Sequence, residues 1–69
     1  MTVREYRVRL GWSVTELARR ANVSPRTINR IEDGEVTRDY TAGAIARAFS
    51  EGLGRTITFN DLEGVNILK

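Results

Sequence analysis

The chain has 69 residues, a formal net charge of +2, no cysteine and no histidine. This length predicts one small domain over residues 1–69, with no separate small-molecule ligand domain. Without cysteine and histidine, disulfides, Cys/His zinc sites and the commonest general base are excluded. No apolar run approaches the roughly 18 residues of a membrane span, and the N-terminus lacks the apolar centre of a signal peptide, so we expect a soluble intracellular protein.

The charges are distributed unevenly along the chain. Residues 1–30 hold seven arginines against two glutamates, whereas residues 31–69 hold four basic against seven acidic side chains. Ten of the eleven basic residues are arginine, whose planar guanidinium suits phosphates and guanine edges. This asymmetry favours a molecule with one side facing a polyanion, although solvated arginines scattered over helix surfaces are the alternative.

The first predicted helix runs from Thr2 to Leu10. Thr2 and Glu5 have the spacing of a capping box, and Gly11 is typical of a helix end. Arg7 lies within the apolar stripe of this helix, where a charge is destabilising unless a carboxylate pairs with it.

A second helix is predicted from Val14, because apolar residues recur from there at i, i+3, i+4 and i+7. Ser13 and Glu16 have the spacing of another capping box, and Trp12 and Leu17 can form a hydrophobic staple around it. The helix therefore has one face on the core and a well-marked start.

A third helix is predicted to begin at Ser24-Pro25, an N-cap followed by the residue that prefers the first helical position. Ile28 and Ile31 form its inner face, and Asn22 tolerates the left-handed backbone that the preceding turn needs. The opposite face is polar at i, i+3, i+4 and i+7: Arg26, Asn29, Arg30 and Asp33. Two short helices joined in this way predict a helix-turn-helix over residues 14–33.

The segment LGWSVTELARRANVSPRTINRIEDGE resembles the phage-repressor or Cro-like (XRE) helix-turn-helix family, and the resemblance extends over about residues 3–62. The chain departs from the family at Val14, where Gln is usual, at Asn22, where the turn usually has Gly, and at Gly43 in the fourth helix. The resemblance implies an all-α, compact five-helix repressor-like DNA-binding domain with no cofactor. It also implies that Arg7 pairs with Glu32, with a phosphate contact by Arg7 as the alternative.

A fourth helix is predicted from about Tyr40 to Glu51, capped by Thr37 or Asp39. Gly43 weakens its first turn or permits a close helix crossing. Four residues are expected to face inward: Ala44, Ile45, Ala48 and Phe49. A last short helix is expected to start at Thr58 to Asp61, and the apolar tail, residues 64–69, is expected either to pack back on its own domain or to join a subunit interface.

The exposed face of the third helix carries the chemistry that reads a DNA major groove. Arginine can bind guanine O6 and N7 with two hydrogen bonds, asparagine can do the same for adenine, and a threonine methyl can contact thymine. The expected base-reading residues are Pro25, Arg26, Thr27, Asn29 and Arg30, and for Arg30 a phosphate contact is the alternative. The residues expected to contact phosphates are Ser13, Ser24, Arg38, Arg9 and Arg19, for which simple solvation is the alternative.

These patterns predict a sequence-specific regulator of transcription that binds a double-stranded DNA operator, a repressor of the small phage or mobile-element kind, located in the cytoplasm with the nucleoid. The alternative is a protein-interaction module, such as an antitoxin or coactivator-like domain with auxiliary DNA binding. We expect no enzyme, since caps, a pair and a helix end account for the carboxylates of the central segment. A homodimer on DNA is expected, with this interface: Phe59, Leu62, Val65, Ile67 and Leu68.

Overall fold

A computed structural model describes residues 1–68 of the chain, and this part is mostly helical. Its α-helices are α1 (Val3–Arg9), α2 (Val14–Ala21), α3 (Pro25–Glu32) and α4 (Asp39–Leu53), and Phe59–Asp61 form a 3₁₀ turn. Two short strands, β1 (Val36–Thr37) and β2 (Asn66–Ile67), pair in parallel. The expectation of an all-α fold with five helices is therefore wrong in two respects, because the last helix is a single 3₁₀ turn and the chain forms a small sheet.

Side-chain caps start α2 and α3 where the sequence predicts them. The Ser13 Oγ accepts a hydrogen bond from the backbone N–H of Glu16 over 3.0 Å, and the Ser24 Oγ accepts one from Thr27 over 3.1 Å. Asn22 ends α2 in the left-handed region, at φ 58°. The second half of the capping box in α2 is absent, because the Glu16 carboxylate turns to two arginines instead.

Helix α4 supplies the centre of the core. Ile45, Ala48 and Phe49 are buried as predicted, but Ala44 is half-buried, and Ala42 and Ala46 are buried in its place. The buried arc is wider than one stripe because α4 packs against α2 and also against the 3₁₀ turn. The fully buried large side chains of the core come from three helices: Leu17, Ile28, Ile45 and Phe49.

The two ends of α4 differ from the prediction. Arg38 is the N-cap residue and makes no side-chain cap, while Asp39 accepts a hydrogen bond from Tyr40 within the first turn. No neighbour comes close to Gly43, and the close approach lies at Gly52 instead. A Cβ at Gly52 would lie 2.7 Å from the Trp12 ring. The helix continues to Leu53 and places Gly52 inside it rather than in a loop.

The C-terminal segment, defined here as residues 63–68, packs back on its own domain. The Glu63 backbone N–H donates to the Met1 carbonyl over 3.1 Å, and the Leu68 N–H donates to the Thr37 carbonyl over 2.7 Å. The segment therefore joins the start of α1 to β1. Within residues 1–68, each helix is too short or too polar to cross a lipid bilayer.

Candidate nucleic-acid interface

The outer side of α3 is a polar surface over a buried apolar one. Ile28 and Ile31 are buried, whereas Arg26, Asn29 and Arg30 are exposed. Among residues 1–68, the Arg26 and Asn29 side chains make no hydrogen bond or ion pair, and Arg30 only approaches Glu35, at 3.9 Å. We call Arg26, Asn29 and Arg30 the polar face of α3, since their donors and acceptors are free to meet a ligand.

The first turn of α3 extends this surface. Ser24 and Pro25 are exposed, and Thr27 is half-buried. The Ser24 and Thr27 hydroxyls lie 2.9 Å apart, and the Ser24 Oγ also accepts the Thr27 N–H. Both hydroxyls therefore already help to hold the helix start, and the Pro25 ring offers only apolar surface.

A groove of about 240 Å³ separates α3 from the loop that follows it. We define residues 33–38 as the α3–α4 loop, which contains β1. Thr27 and Arg30 line one wall of the groove, and Thr37 and Arg38 line the other. Two arginines and two threonines thus line one depression, and guanidinium and hydroxyl groups are donors that suit the oxygens of a phosphate.

The expected phosphate-contacting residues are all exposed, but they are not equally free. Arg38 has no hydrogen-bond or ion-pair partner through its guanidinium within residues 1–68, and Arg9 only approaches the Met1 sulfur, at 3.9 Å. Ser13 uses its hydroxyl as a cap. The Arg19 guanidinium is held by the Glu16 carboxylate, as described next.

Glu16 binds two arginines at once. Its Oε2 lies 2.5 Å from Arg19 Nη2 and 2.6 Å from Arg20 Nε. These hydrogen bonds, with that from Arg19 the stronger cause, hold the pKa of Glu16 below its usual value of 4.5. Arg20 also lies over the Trp12 ring, 4.4 Å from its centroid. The i, i+3 and i, i+4 spacing from Glu16 carries this signal in the sequence, but the capping-box prediction assigned the carboxylate elsewhere.

Arg7 and Glu32 form a two-bonded ion pair between α1 and α3. Arg7 Nε lies 2.8 Å from Glu32 Oε2, and Nη2 lies 3.1 Å from Oε1. The remaining guanidinium nitrogen, Nη1, donates to the Trp12 carbonyl over 3.2 Å. Each of its three guanidinium nitrogens donates a hydrogen bond within the domain. Arg7 therefore stabilises the packing of α1 and α3 and is not part of the exposed polar surface.

The residues expected at a dimer interface fall into different environments. Leu62 is only 5% exposed and belongs to the core, so the assignment of its side chain to an interface is wrong for the folded domain. Val65 and Ile67 are half-buried, whereas Phe59 and Leu68 are 39% and 52% exposed.

The sequence analysis missed two exposed apolar side chains near the same strands. Val36 is 62% exposed, and Tyr40 at the start of α4 is exposed as well. Because the strands are parallel and Val36 pairs with Asn66, Val36 and Leu68 lie on one face of the small sheet. Only the pairing of the strands reveals this, since neither strand is long enough to show an alternating pattern.

Comparison with known proteins agrees with this geometry. A family model described as "Helix-turn-helix" matches residues 3–57. Neither the curated proteins nor the solved structures contain a significant match to the chain. The matched range includes α1 to α4 and the whole polar face of α3. The chain therefore belongs to the Cro/XRE type of the helix-turn-helix family and is a DNA-binding regulator of that type.

Proposed function

We propose that the protein is a sequence-specific repressor that inserts α3 into the major groove of double-stranded DNA. The observation that carries this proposal is the polar face of α3, where Arg26 and Asn29 are exposed and have no partner within residues 1–68. A side chain that already forms hydrogen bonds within the domain would have to break them before it could bind a base edge. Arg26 and Asn29 have no such bonds to break. Arg26, one residue after the start of α3, is the primary reader, because helix-turn-helix proteins direct the first residues of this helix at the bases.

Arg30 and Arg38 are proposed to act together on the DNA backbone. They border the groove between α3 and the α3–α4 loop, and a phosphate there would receive hydrogen bonds from two cations. Ser13, Ser24 and Arg9 are proposed as further backbone contacts. Arg19 can join them only if its guanidinium exchanges Glu16 for a phosphate, so its contribution is expected to be the smallest of the arginines.

Repression is the proposed regulatory outcome because it needs only occupancy of the operator. A domain that fills the major groove blocks access to the same base pairs, whereas activation also needs a defined contact with the transcription machinery. The unit on DNA is proposed to be a two-fold dimer, with Phe59, Val65, Ile67 and Leu68 at or near its interface. Two recognition helices would then read an inverted repeat with half-sites about 10 base pairs apart.

The other candidate function is a protein-interaction module of the antitoxin or coactivator-like kind, with auxiliary DNA binding. The exposed apolar side chains Val8, Val36 and Leu68 are the observation that favours it. In that case duplex DNA would be bound weakly and without sequence preference.

Selection of binding sites from random duplex DNA tests the proposal. The expected result is an enriched inverted repeat whose binding weakens steeply with salt, by a slope of about 0.9 in log K per phosphate contact. Enrichment of no sequence, with weak binding to all duplexes, would contradict the proposal and favour the protein-interaction module. The same experiment returns the operator sequence and the half-site spacing.

A further inference from the structure

The C-terminal segment holds the α3–α4 loop at two points. The Asn66 side-chain amide donates a hydrogen bond to the Gly34 carbonyl, 32 residues earlier in the chain. The Leu68 backbone N–H donates to the Thr37 carbonyl over 2.7 Å. Between these two bonds, β2 pairs with β1, so that Val36 lies opposite Asn66. A distant part of the chain thus fixes the loop from one side.

Backbone hydrogen bonds also attach the loop at both of its ends. The Gly34 and Glu35 N–H groups donate to the carbonyls of the last turn of α3, each over 3.0 Å. The Arg38 carbonyl accepts two N–H groups from the first turn of α4, each over 3.1 Å. Within residues 1–68, the Asn66 amide is the one side chain outside the loop that hydrogen-bonds to the loop backbone.

The bond from Asn66 falls at the bend of the loop. Gly34 has φ 90°, a left-handed backbone that favours glycine. The chain continues from this bend to Arg38, an exposed residue that lines the groove together with Arg30. Asn66 therefore holds the loop at its bend, between the end of α3 and Arg38.

We propose that Asn66 is a positioning residue for DNA binding, which fixes the α3–α4 loop so that Arg38 and Arg30 face the same phosphate. This role rests on the proposed function, since it concerns the DNA backbone contacts of the same surface. A loop that is ordered before binding loses less conformational entropy when it meets the duplex. Asn66 and Gly34 are both exposed, so water can replace the lost hydrogen bond and the fold itself depends little on it.

A double-mutant cycle on the full chain tests this role, with the selected operator as the ligand and Kd measured over a range of salt. Asn66→Ala is expected to weaken binding by about two- to tenfold, the net effect of one hydrogen bond. Its salt slope should fall toward that of Arg38→Ala. In the Arg38→Ala background, Asn66→Ala should have no further effect, because the residue acts through Arg38.

Two further variants separate positioning from a general loss of stability. Asn66→Gln keeps an amide donor and should recover part of the affinity. Asn60→Ala, at an exposed asparagine of the 3₁₀ turn whose side chain makes no hydrogen bond within residues 1–68, should bind as the unaltered chain does. Hydrogen exchange should be faster at the loop amides of Asn66→Ala and unchanged in α2 and α4.

The failure of this role and the failure of the proposed function give different results. If the unaltered chain binds its operator and Asn66→Ala binds equally well with the same salt slope, the positioning role is wrong and the proposed function stands. The same conclusion follows if the Asn66→Ala and Arg38→Ala effects add in full. If the unaltered chain selects no operator, the proposed function fails, and the positioning role fails with it.

Discussion

The Arg7 guanidinium and the Glu32 carboxylate join α1 to the end of α3 by two hydrogen bonds of 2.8 and 3.1 Å. Their side chains are 14% and 12% exposed, so the pair is largely withdrawn from water. The same arginine reaches the Trp12 carbonyl and so also fixes the chain between α1 and α2. The orientation of α3 on the domain thus depends on a charge pair as well as on apolar packing.

Removal of one partner should therefore be strongly destabilising. Glu32→Ala leaves the Arg7 charge nearly buried without a carboxylate, and the free energy of unfolding should fall by about 3 kcal/mol. For a domain of this size the melting temperature should fall by more than about 10 °C. Glu35→Ala is the matched control, because its ion pair with Arg30 is long and exposed and should contribute less than about 0.5 kcal/mol. Equal melting temperatures for the two variants would contradict this reading of the pair.

Two glycines of α4 should respond to alanine in opposite directions. At Gly52 the new Cβ would lie 2.7 Å from the Trp12 ring, which also stacks with Phe49 and lies under the Arg20 guanidinium. Gly52→Ala should lower the free energy of unfolding by about 1 to 3 kcal/mol through overpacking. At Gly43 nothing lies within 4 Å of the new Cβ. Because alanine favours the helix more than glycine does, Gly43→Ala should raise the free energy of unfolding by about 0.5 to 1 kcal/mol.

Urea unfolding of both variants measures the difference. A stabilised Gly52→Ala would show that the Trp12 ring shifts without strain. A destabilised Gly43→Ala would show that the helix needs flexibility there for a reason other than packing.

The helix-turn-helix was predictable because its signals are local. Ser24, Pro25 and Asn22 each act on the backbone within a few residues, and Ile28 and Ile31 mark the buried face by their spacing alone. The same spacing predicted which residues of α3 are exposed. Each of these features is determined by residues that are close together in the sequence, so the sequence alone is enough to predict them.

The remaining features depend on contacts between distant parts of the chain. The two-residue strands show no alternation, and their pairing joins Val36 to Asn66, two residues that have the whole of α4 between them in the sequence. The contact between the Trp12 ring and Gly52 forms only when α4 packs against the rest of the domain. Likewise, Leu62 is apolar in either setting, so its sequence position could not distinguish a core from an interface.

The pH dependence of α2 should reflect the carboxylate of Glu16. Hydrogen bonds from Arg19 and Arg20 hold its pKa in the folded state below the usual 4.5. A lowered folded pKa means that the stabilisation is fully present above pH 4.5 and is lost as the pH falls through the folded value. The stability difference between the unaltered chain and Glu16→Gln should therefore disappear in acid.

Titration of the Glu16 carboxyl by NMR measures the shift directly. The midpoint should lie below 4.5 in the unaltered chain and return toward 4.5 when Arg19 and Arg20 are both replaced by alanine. Glu5 serves as an internal control, since its pKa is lowered chiefly by the Thr2 backbone N–H and should not respond to these substitutions. An unshifted Glu16 in the unaltered chain would mean that the two ion pairs do not form in solution.

Arg26 should determine sequence preference and not only affinity. Loss of a two-bonded contact to guanine should weaken binding of Arg26→Ala to the selected operator by about 1 to 3 kcal/mol and relax the preference at one base pair. Arg47→Ala removes the same charge from an exposed position on α4 and should leave that preference intact. If Arg26→Ala loses as much affinity for random duplex as for the operator, Arg26 contacts phosphate instead of a base.

The two-fold dimer leads to a prediction about Leu68. One recognition helix contacts only about four to six base pairs, which is too few to distinguish one site among the roughly 10⁶ or more positions of a genome. A second helix doubles the number of base pairs that are recognised. Leu68 is exposed, while its backbone N–H remains bonded to Thr37, so Leu68→Asp should keep the fold. It should bind a single half-site normally and lose affinity for the full repeat. Val8→Asp makes the same change at an exposed valine of α1 and should change neither the affinity for the half-site nor that for the full repeat.

Sedimentation with DNA supplies the stoichiometry on which the dimer depends. The exposed apolar side chains of the C-terminal segment offer a small interface, so we expect weak association without DNA and two protomers on the full repeat. The half-site centres should lie about 34 to 36 Å apart, one turn of duplex, because two recognition helices related by a two-fold axis must enter successive major grooves on the same side. One protomer per full repeat at saturation would rule the dimer out. In that case the base contacts of a single α3 would have to be supplemented by recognition of the sequence-dependent shape of the DNA.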